Sequence, residues 1–215
     1  MRKFTILAVV AGLSLALGGC DRPSGGSAQG GGNTLDAANG ATPDEVTGDE
    51  VPPGGGNDAG GGEAFRHVVD RSHKGEAMPD KPFTTLDGQP ATLRQIAGGK
   101  PMLVNLWATW CAPCVAELPA LDGIAAAAAA KGVSVIAVSQ DMQGAEVVPP
   151  FWAARKLQTL RTWLDSENAL GFHYGTGTLP TTVLYDAQGK EILRVIGALD
   201  WSGPDGQALL KELGV

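Results

Sequence analysis

At 215 residues the chain is long enough for one domain of ordinary size, yet 31 glycines and only 18% charged residues are an unusual balance for it. The formal charge of −7 is local: residues 21–63 hold eight acids against Arg22 alone, whereas residues 64–215 hold 13 bases and 15 acids. A nucleic-acid partner is disfavoured, because no folded part has the basic excess that phosphate neutralisation requires, and three cysteines are too few for a disulfide-dense scaffold.

Met1-Arg2-Lys3 is a short positive segment, followed by the apolar run Phe4–Leu17, which is of secretory-signal length and too short to span a bilayer comfortably. Export is the expectation, with residues 1–19 as a signal peptide. Leu17-Gly18-Gly19-Cys20 resembles the bacterial lipobox, where cleavage precedes a lipidated cysteine; Gly18 is a less usual second residue there. The resemblance implies a lipid anchor on Cys20, and Asp21 directly after it goes in such lipoproteins with retention at the inner membrane, facing the periplasm. A plain secreted protein with an odd thiol and an uncleaved membrane anchor stay open as alternatives. Residues 20–76 are expected to be an acidic, Gly-rich, disordered linker. From residue 21 to 62 it has 13 glycines and almost no aromatic or β-branched residues, too little apolar surface to offset chain entropy. As a flexible coil it would give a root-mean-square reach of roughly 40 Å.

Regular patterns fill residues 77–215. Phe83–Leu86 reads as a short strand running into an Asp87-Gly88 turn, and Thr92–Ile96 as one or two helical turns stopped by Gly98-Gly99. Met102–Leu106 is a continuous apolar run, expected to be a strand buried on both faces. Pro113–Ala130, with six consecutive alanines and a Lys131-Gly132 stop, is a strong helix candidate. Val133–Val138 is a second buried strand, and Pro149-Pro150 should open a helix running through Leu157. Thr181–Tyr185 and Ile192–Ile196 form a strand pair across Asp186–Gly189, and Pro204–Leu213 is a terminal helix. The order implies an α/β sandwich, a central mixed sheet with helices on both faces and an N-terminal β-hairpin extension.

The chemistry lies at Trp110-Cys111-Ala112-Pro113-Cys114, between a buried strand and a long helix. Two thiols at this spacing in a first helical turn can join as a disulfide with little backbone movement. Free amides and the helix dipole stabilise a thiolate on Cys111, making it a nucleophile at neutral pH, while Pro113 fits a first-turn site that needs no amide donor. Cys114, deeper, is the expected resolving thiol. A zinc site is disfavoured because no second cysteine pair exists and His67, His73 and His173 are unsuitably spaced. A purely structural disulfide would close a loop too small to stabilise much.

The run Leu103–Glu117 (LVNLWATWCAPCVAE), followed by Leu118-Pro119, resembles the TlpA and ResA group of thioredoxin-like thiol-disulfide oxidoreductases, which are membrane-tethered and extracytoplasmic. The likeness extends through Asp87-Gly88, Gly99-Lys100, Tyr174-Gly175 and Thr178–Thr182, covering roughly Pro82 to the C-terminus. It implies that Pro180 is a cis-proline facing the dithiol and exposing the backbone of Leu179 to a bound peptide; an ordinary trans turn proline is the plainer reading. Asn105 stands where thioredoxin has a buried acid, which removes that proton acceptor. Glu117, one helical turn after Cys114, is the implied replacement, its pKa raised by partial burial so that it can take a proton from Cys114. A solvent-exposed helix acid is the alternative for Glu117.

Trp110, Ala112, Pro113 and Leu179 are the expected substrate-contacting residues, with core packing the alternative for Trp110. Trp107, Trp152, Trp163 and Trp201 are read as packing residues and His173 as structural or exposed. The implied partners are disulfide-bearing proteins, such as apocytochrome c or oxidase assembly factors, and a membrane thiol donor of the CcdA or DsbD type. No cofactor or metal is expected. Two rivals remain. A peroxiredoxin-like peroxidase shares the fold but places a Pro and Thr pattern before its nucleophile, and a Sco-like copper-binding assembly factor separates its cysteines by three residues.

Overall fold

The computed structural model describes residues 65–215. Cys20, the signal peptide and most of the expected linker lie outside the described residues. In chain order the elements are β1 (His67–Asp70), β2 (Phe83–Thr84), β3 (Pro90–Ala91), α1 (Leu93–Ala97), β4 (Met102–Trp107), α2 (Ala112–Ala129), β5 (Ser134–Ser139), α3 (Gly144–Arg155), β6 (Arg161–Leu164), α4 (Ala169–Tyr174), β7 (Thr181–Tyr185), β8 (Glu191–Gly197) and α5 (Pro204–Leu213). The strands make one mixed eight-stranded sheet in the order β1-β8-β7-β4-β5-β6-β2-β3. The expected α/β sandwich is present, and the expected hairpin is β2–β3, which lies on an edge against β6.

All six residues of β4, five apolar ones and Asn105, are buried, as in a strand covered on both faces. The two-residue period of the pleat divides them. Leu103 and Trp107 join the apolar cluster that receives Leu118, Leu121 and Ile124 of α2, Val148 of α3, and Leu209, Leu210 and Leu213 of α5. Met102, Val104 and Leu106 join the opposite cluster, with Leu93 of α1 and Leu170 and Tyr174 of α4. Helices therefore cover both faces. The alanine run makes α2 apolar enough, by length and composition, to cross a membrane; its buried face is nevertheless spent on this core.

Local chemistry accounts for several boundaries. A capping box, with Thr92 and Gln95 exchanging side-chain and backbone bonds, starts α1, and Gly98 ends it in the left-handed region. Cys111 is the N-cap of α2 and Pro113 sits in its first turn.

Four features differ from the sequence expectation. The linker does not extend to residue 76: His67–Asp70 pairs along β8, with Gly197 opposite His67. Gly197 has φ 94° and a Cβ there would collide with the carbonyl of Arg66, so the close approach of β1 requires glycine. Helix α3 starts at Gly144, five residues before the prolines taken as its opening. Its first amides are served by the Gln143 carbonyl, which accepts from Glu146 and Val147, and the prolines fall in the second turn. Strand β6 was not expected. The Asp122 carboxylate of α2 accepts the amides of Gln158, Thr159 and Leu160 and so steers the chain into β6. Helix α4 was not expected either; Asp165 accepts the amides of Ala169 and Leu170 at its start.

Candidate active site

Strands β4, β5 and β6 run parallel, so Trp107, Ser139 and Leu164 end at one edge of the sheet. Strand β7 runs the other way and begins at that edge, with Thr181 opposite Leu106. The loop carrying the two cysteines leaves β4 there and Pro180 enters β7 there. Topology alone brings together residues far apart in sequence. The Leu179–Pro180 peptide bond is cis.

Cys111 and Cys114 form a disulfide with their Cα atoms 5.3 Å apart. As N-cap residue, Cys111 points its sulfur at the start of α2, where it accepts the Cys114 amide at 3.3 Å. A thiolate at this atom would receive the same amide and the positive end of the dipole. Cys111 is 5% exposed and Cys114 fully buried. Of the two cysteines, only Cys111 retains any exposure. Ala112 and Pro113 are exposed beside it, and Trp110 is 71% exposed, so it does not pack in the core. Leu179 is half-buried and touches both apolar clusters.

The loop before Cys111 is pinned by a residue that sequence reasoning missed. Asp141, buried just after β5, accepts the Thr109 amide at 2.9 Å, the Thr109 hydroxyl at 2.6 Å and the Ser139 hydroxyl at 2.7 Å. Its position after a buried strand was the only available signal. On the other side, the segment before Pro180 is fixed by Thr181, whose hydroxyl bonds the Thr178 carbonyl at 2.8 Å and the Thr176 hydroxyl at 2.7 Å. His173 is exposed, and burial of its ring followed by the charge of Arg194 lowers its pKa.

Glu117 is 2% exposed, which excludes the reading of a solvent-facing helix acid. Its Oε1 accepts the Leu199 amide at 2.6 Å and its Oε2 accepts Asn105 Nδ2 at 3.3 Å. Asn105 also donates Nδ2 to the Thr182 hydroxyl at 2.9 Å. Desolvation dominates and pushes the Glu117 pKa up to about 8, with the Leu199 amide, Asn105 and the nearby Trp201 indole, whose N–H stops short of a completed hydrogen bond, pulling against it. Burial here exceeds what the helical spacing suggested, and Leu199 had no signature because a backbone donor carries none. Trp107, Trp152 and Trp201 all pack in or against the same cluster, and Trp163 against the other. Among the described residues, no group of three His, Cys, Asp or Glu side chains is placed to hold a metal ion.

The family model for Redoxin matches residues 73–208. The chain is 29% identical over 123 residues to the thiol-disulfide oxidoreductase ResA of Bacillus thuringiensis, covering 57% of this chain and 69% of that one. It is 32% identical over 116 residues to the ResA of Geobacillus thermodenitrificans, covering 54% and 65%. Among solved structures it is similar to a protein assigned as the thiol:disulfide interchange protein DsbE of Chlorobium tepidum, at 27% identity and a TM-score of 0.58, over 65% of this chain and 97% of that one. With the fold, the buried dithiol and these relatives in agreement, the chain belongs to the Redoxin family and is a thioredoxin-fold thiol-disulfide oxidoreductase of the ResA and DsbE type.

Proposed function

We propose that the protein reduces disulfides in other exported proteins, with Cys111 as the attacking sulfur, Cys114 as the resolving one and Glu117 as the proton acceptor. In the reduced protein the Cys111 thiolate attacks one sulfur of a substrate disulfide, forming a mixed disulfide and releasing a substrate thiolate that takes up a proton. Glu117 then removes the proton of Cys114. The Cys114 thiolate attacks Cys111 Sγ, closing the internal disulfide and releasing the second substrate thiolate. Two electrons pass from the dithiol to the substrate.

The observation that carries this reading is the contrast between a dithiol whose outer sulfur reaches the surface and a buried carboxyl one helical turn behind the inner one. Trp110, Ala112, Pro113 and Leu179 form the docking surface, where the cis bond before Pro180 presents the Leu179 backbone to an extended peptide. The internal disulfide is re-reduced by a membrane thiol donor of the CcdA or DsbD type. Cys20 carries the lipid that holds the protein at the inner membrane, and the Gly-rich residues after it act as a leash. Apocytochrome c and oxidase assembly factors are the proposed substrates.

The test is to express Cys114→Ser in membranes and isolate what is bound to Cys111. Mixed disulfides with exported cysteine proteins are expected, and they should vanish in the Cys111→Ser, Cys114→Ser protein. The complete absence of adducts under all growth conditions would contradict the reading, and brisk peroxide turnover by the purified wild-type protein would favour a peroxidase instead.

A further inference from the structure

Three buried side-chain nitrogen or oxygen atoms lack a hydrogen-bond partner among the described residues, and two of them belong to residues that flank Glu117. One is an acceptor, Asn105 Oδ1, on β4; the other is a donor, the Trp201 indole Nε1, on the segment after β8. Both side chains are fully buried. A buried polar atom without a partner forfeits the hydrogen bonds it made to water, so two of opposite kind around one carboxyl need a physical reason.

Glu117 itself supplies it. An ionised carboxylate only accepts hydrogen bonds, whereas a carboxylic acid must also donate one. With the amide as it stands, Asn105 offers Nδ2 to Oε2, and the Trp201 N–H lies on the side of the same carboxyl: both suit the carboxylate. Rotation of the Asn105 amide by half a turn would put Oδ1 where Nδ2 now stands, ready to accept from a protonated Oε2. Thr182 would then donate its hydroxyl proton to Oδ1 where it now accepts from Nδ2 at 2.9 Å, since a hydroxyl does either. The Leu199 amide serves Oε1 in both states.

We propose that Asn105 and Trp201 are positioning residues that let Glu117 lose and regain a proton without leaving its socket, the amide rotating to follow the proton and the indole N–H serving the ionised form. This rests on the reading of Glu117 as the proton acceptor for Cys114. The groups facing Glu117 are Asn105 from β4, the Leu199 amide and Trp201 from the segment after β8, and Cys114 from its own helix. Among the described residues no charged group contributes to its titration: burial raises it and these neutral donors lower it.

The test follows thiol-disulfide exchange by the full-length reduced protein from pH 5 to 10 in six proteins: wild type, Trp201→Phe, Asn105→Ala, Glu117→Gln, and Glu117→Gln combined with each of the other two. Removing a donor to the carboxylate should move the Trp201→Phe profile upward by about half a pH unit or more, with exchange slowed several-fold at pH 7 and unchanged above pH 9. Asn105→Ala, which strips a partner from each state, should slow exchange on both sides of the midpoint. Added to Glu117→Gln, neither substitution should change the profile further. If Glu117→Gln itself leaves the profile untouched, the assignment of Glu117 fails; if it flattens the profile while Trp201→Phe and Asn105→Ala leave theirs in place, only the present inference fails. Should Trp201→Phe not fold, nuclear magnetic resonance of the Asn105 side-chain amide decides. Glu117→Gln imitates the carboxylic acid, and the amide protons should shift toward those of wild type at low pH. Amide resonances that are the same at pH 5 and pH 9 would overturn the proposal.

Discussion

The sheet carries a buried polar cluster on each face, and the two are built on opposite principles. Beneath the dithiol, among the described residues, Glu117 has no counter-ion, and Asn105 and Trp201 each leave a buried polar atom unpartnered. On the other face, Arg194 of β8 is saturated: Nε and Nη2 grip the Glu191 carboxylate at 2.6 and 3.1 Å, and Nη1 donates to the Tyr174 carbonyl at 2.9 Å. Its guanidinium also lies over the Tyr174 ring, and the Tyr174 and Tyr185 hydroxyls bond each other at 2.9 Å. Burial lowers the Arg194 pKa, but Glu191 outweighs it and holds it above its ordinary value, while burial pushes both tyrosine hydroxyls up. The saturated cluster cannot exchange protons near neutrality; it ties the end of α4, and so the segment leading to Pro180, to the sheet. The unsaturated one can. Stability and reactivity are thus placed on opposite faces of the same sheet.

The sharpest way to break this contrast is to replace the two glutamates in turn. Glu117→Gln should slow thiol-disulfide exchange by about 100-fold, the lower end of what a positioned acid-base group contributes, in stopped-flow assays with a model disulfide. It should leave the fold intact. Its effect on stability depends on pH. The folded state holds the Glu117 proton between the usual 4.5 and about 8, where the unfolded chain has lost it, so wild-type stability falls as pH rises through that window. The slope is at most about 1.4 kcal/mol per pH unit, and urea unfolding at pH 5, 6.5 and 8 should show it vanish in Glu117→Gln.

Glu191→Ala should do the reverse. It leaves Arg194 charged in the interior with only the Tyr174 carbonyl and the looser Glu76 carboxylate at 3.7 Å beside it, a loss of about 3 kcal/mol in urea unfolding, with the pH midpoint of exchange unmoved in the protein that remains folded. A smaller effect is expected at Asp122, where three amide donors overcome burial and hold the carboxyl below its ordinary range. Asp122→Ala should cost about 1–2 kcal/mol, lost progressively in wild type as pH falls through the native pKa of Asp122. The smallest belongs to the exposed Arg71–Glu212 pair between the end of β1 and α5. Arg71→Ala should shift stability by less than about 1 kcal/mol, and less still in high salt.

The central fold and the dithiol were legible because they repeat strong local signals: an apolar run in β4, alanines in α2, and two cysteines at a helix start. Strand β6 was not, because Arg161–Leu164 is four residues long and its sequence, two polar residues then two apolar ones, does not follow the alternation of its burial. Helix α4 was hidden by Gly171 in its interior and by Asn168 at φ 55° before it. The two prolines of α3 misled for a different reason: proline favours a first turn, but an N-terminal turn made by Gln143 had already been completed upstream. In the site, the spacing of Cys114 and Glu117 placed both on one face of α2, and both are buried. The Leu199 amide and Trp201 come from a segment whose approach only the long-range packing of β8 determines. Burial of Glu117 is likewise a tertiary property that no helical spacing reveals.

The central claim, that Glu117 titrates near neutrality beneath the disulfide, is most directly tested by carbon NMR of the oxidised full-length protein labelled at the glutamate side-chain carboxyl, with the Glu117 signal assigned by its loss in Glu117→Gln. The account predicts a single midpoint at about 8. A midpoint at the usual 4.5 would show the carboxyl to be an ordinary acid and would contradict the account.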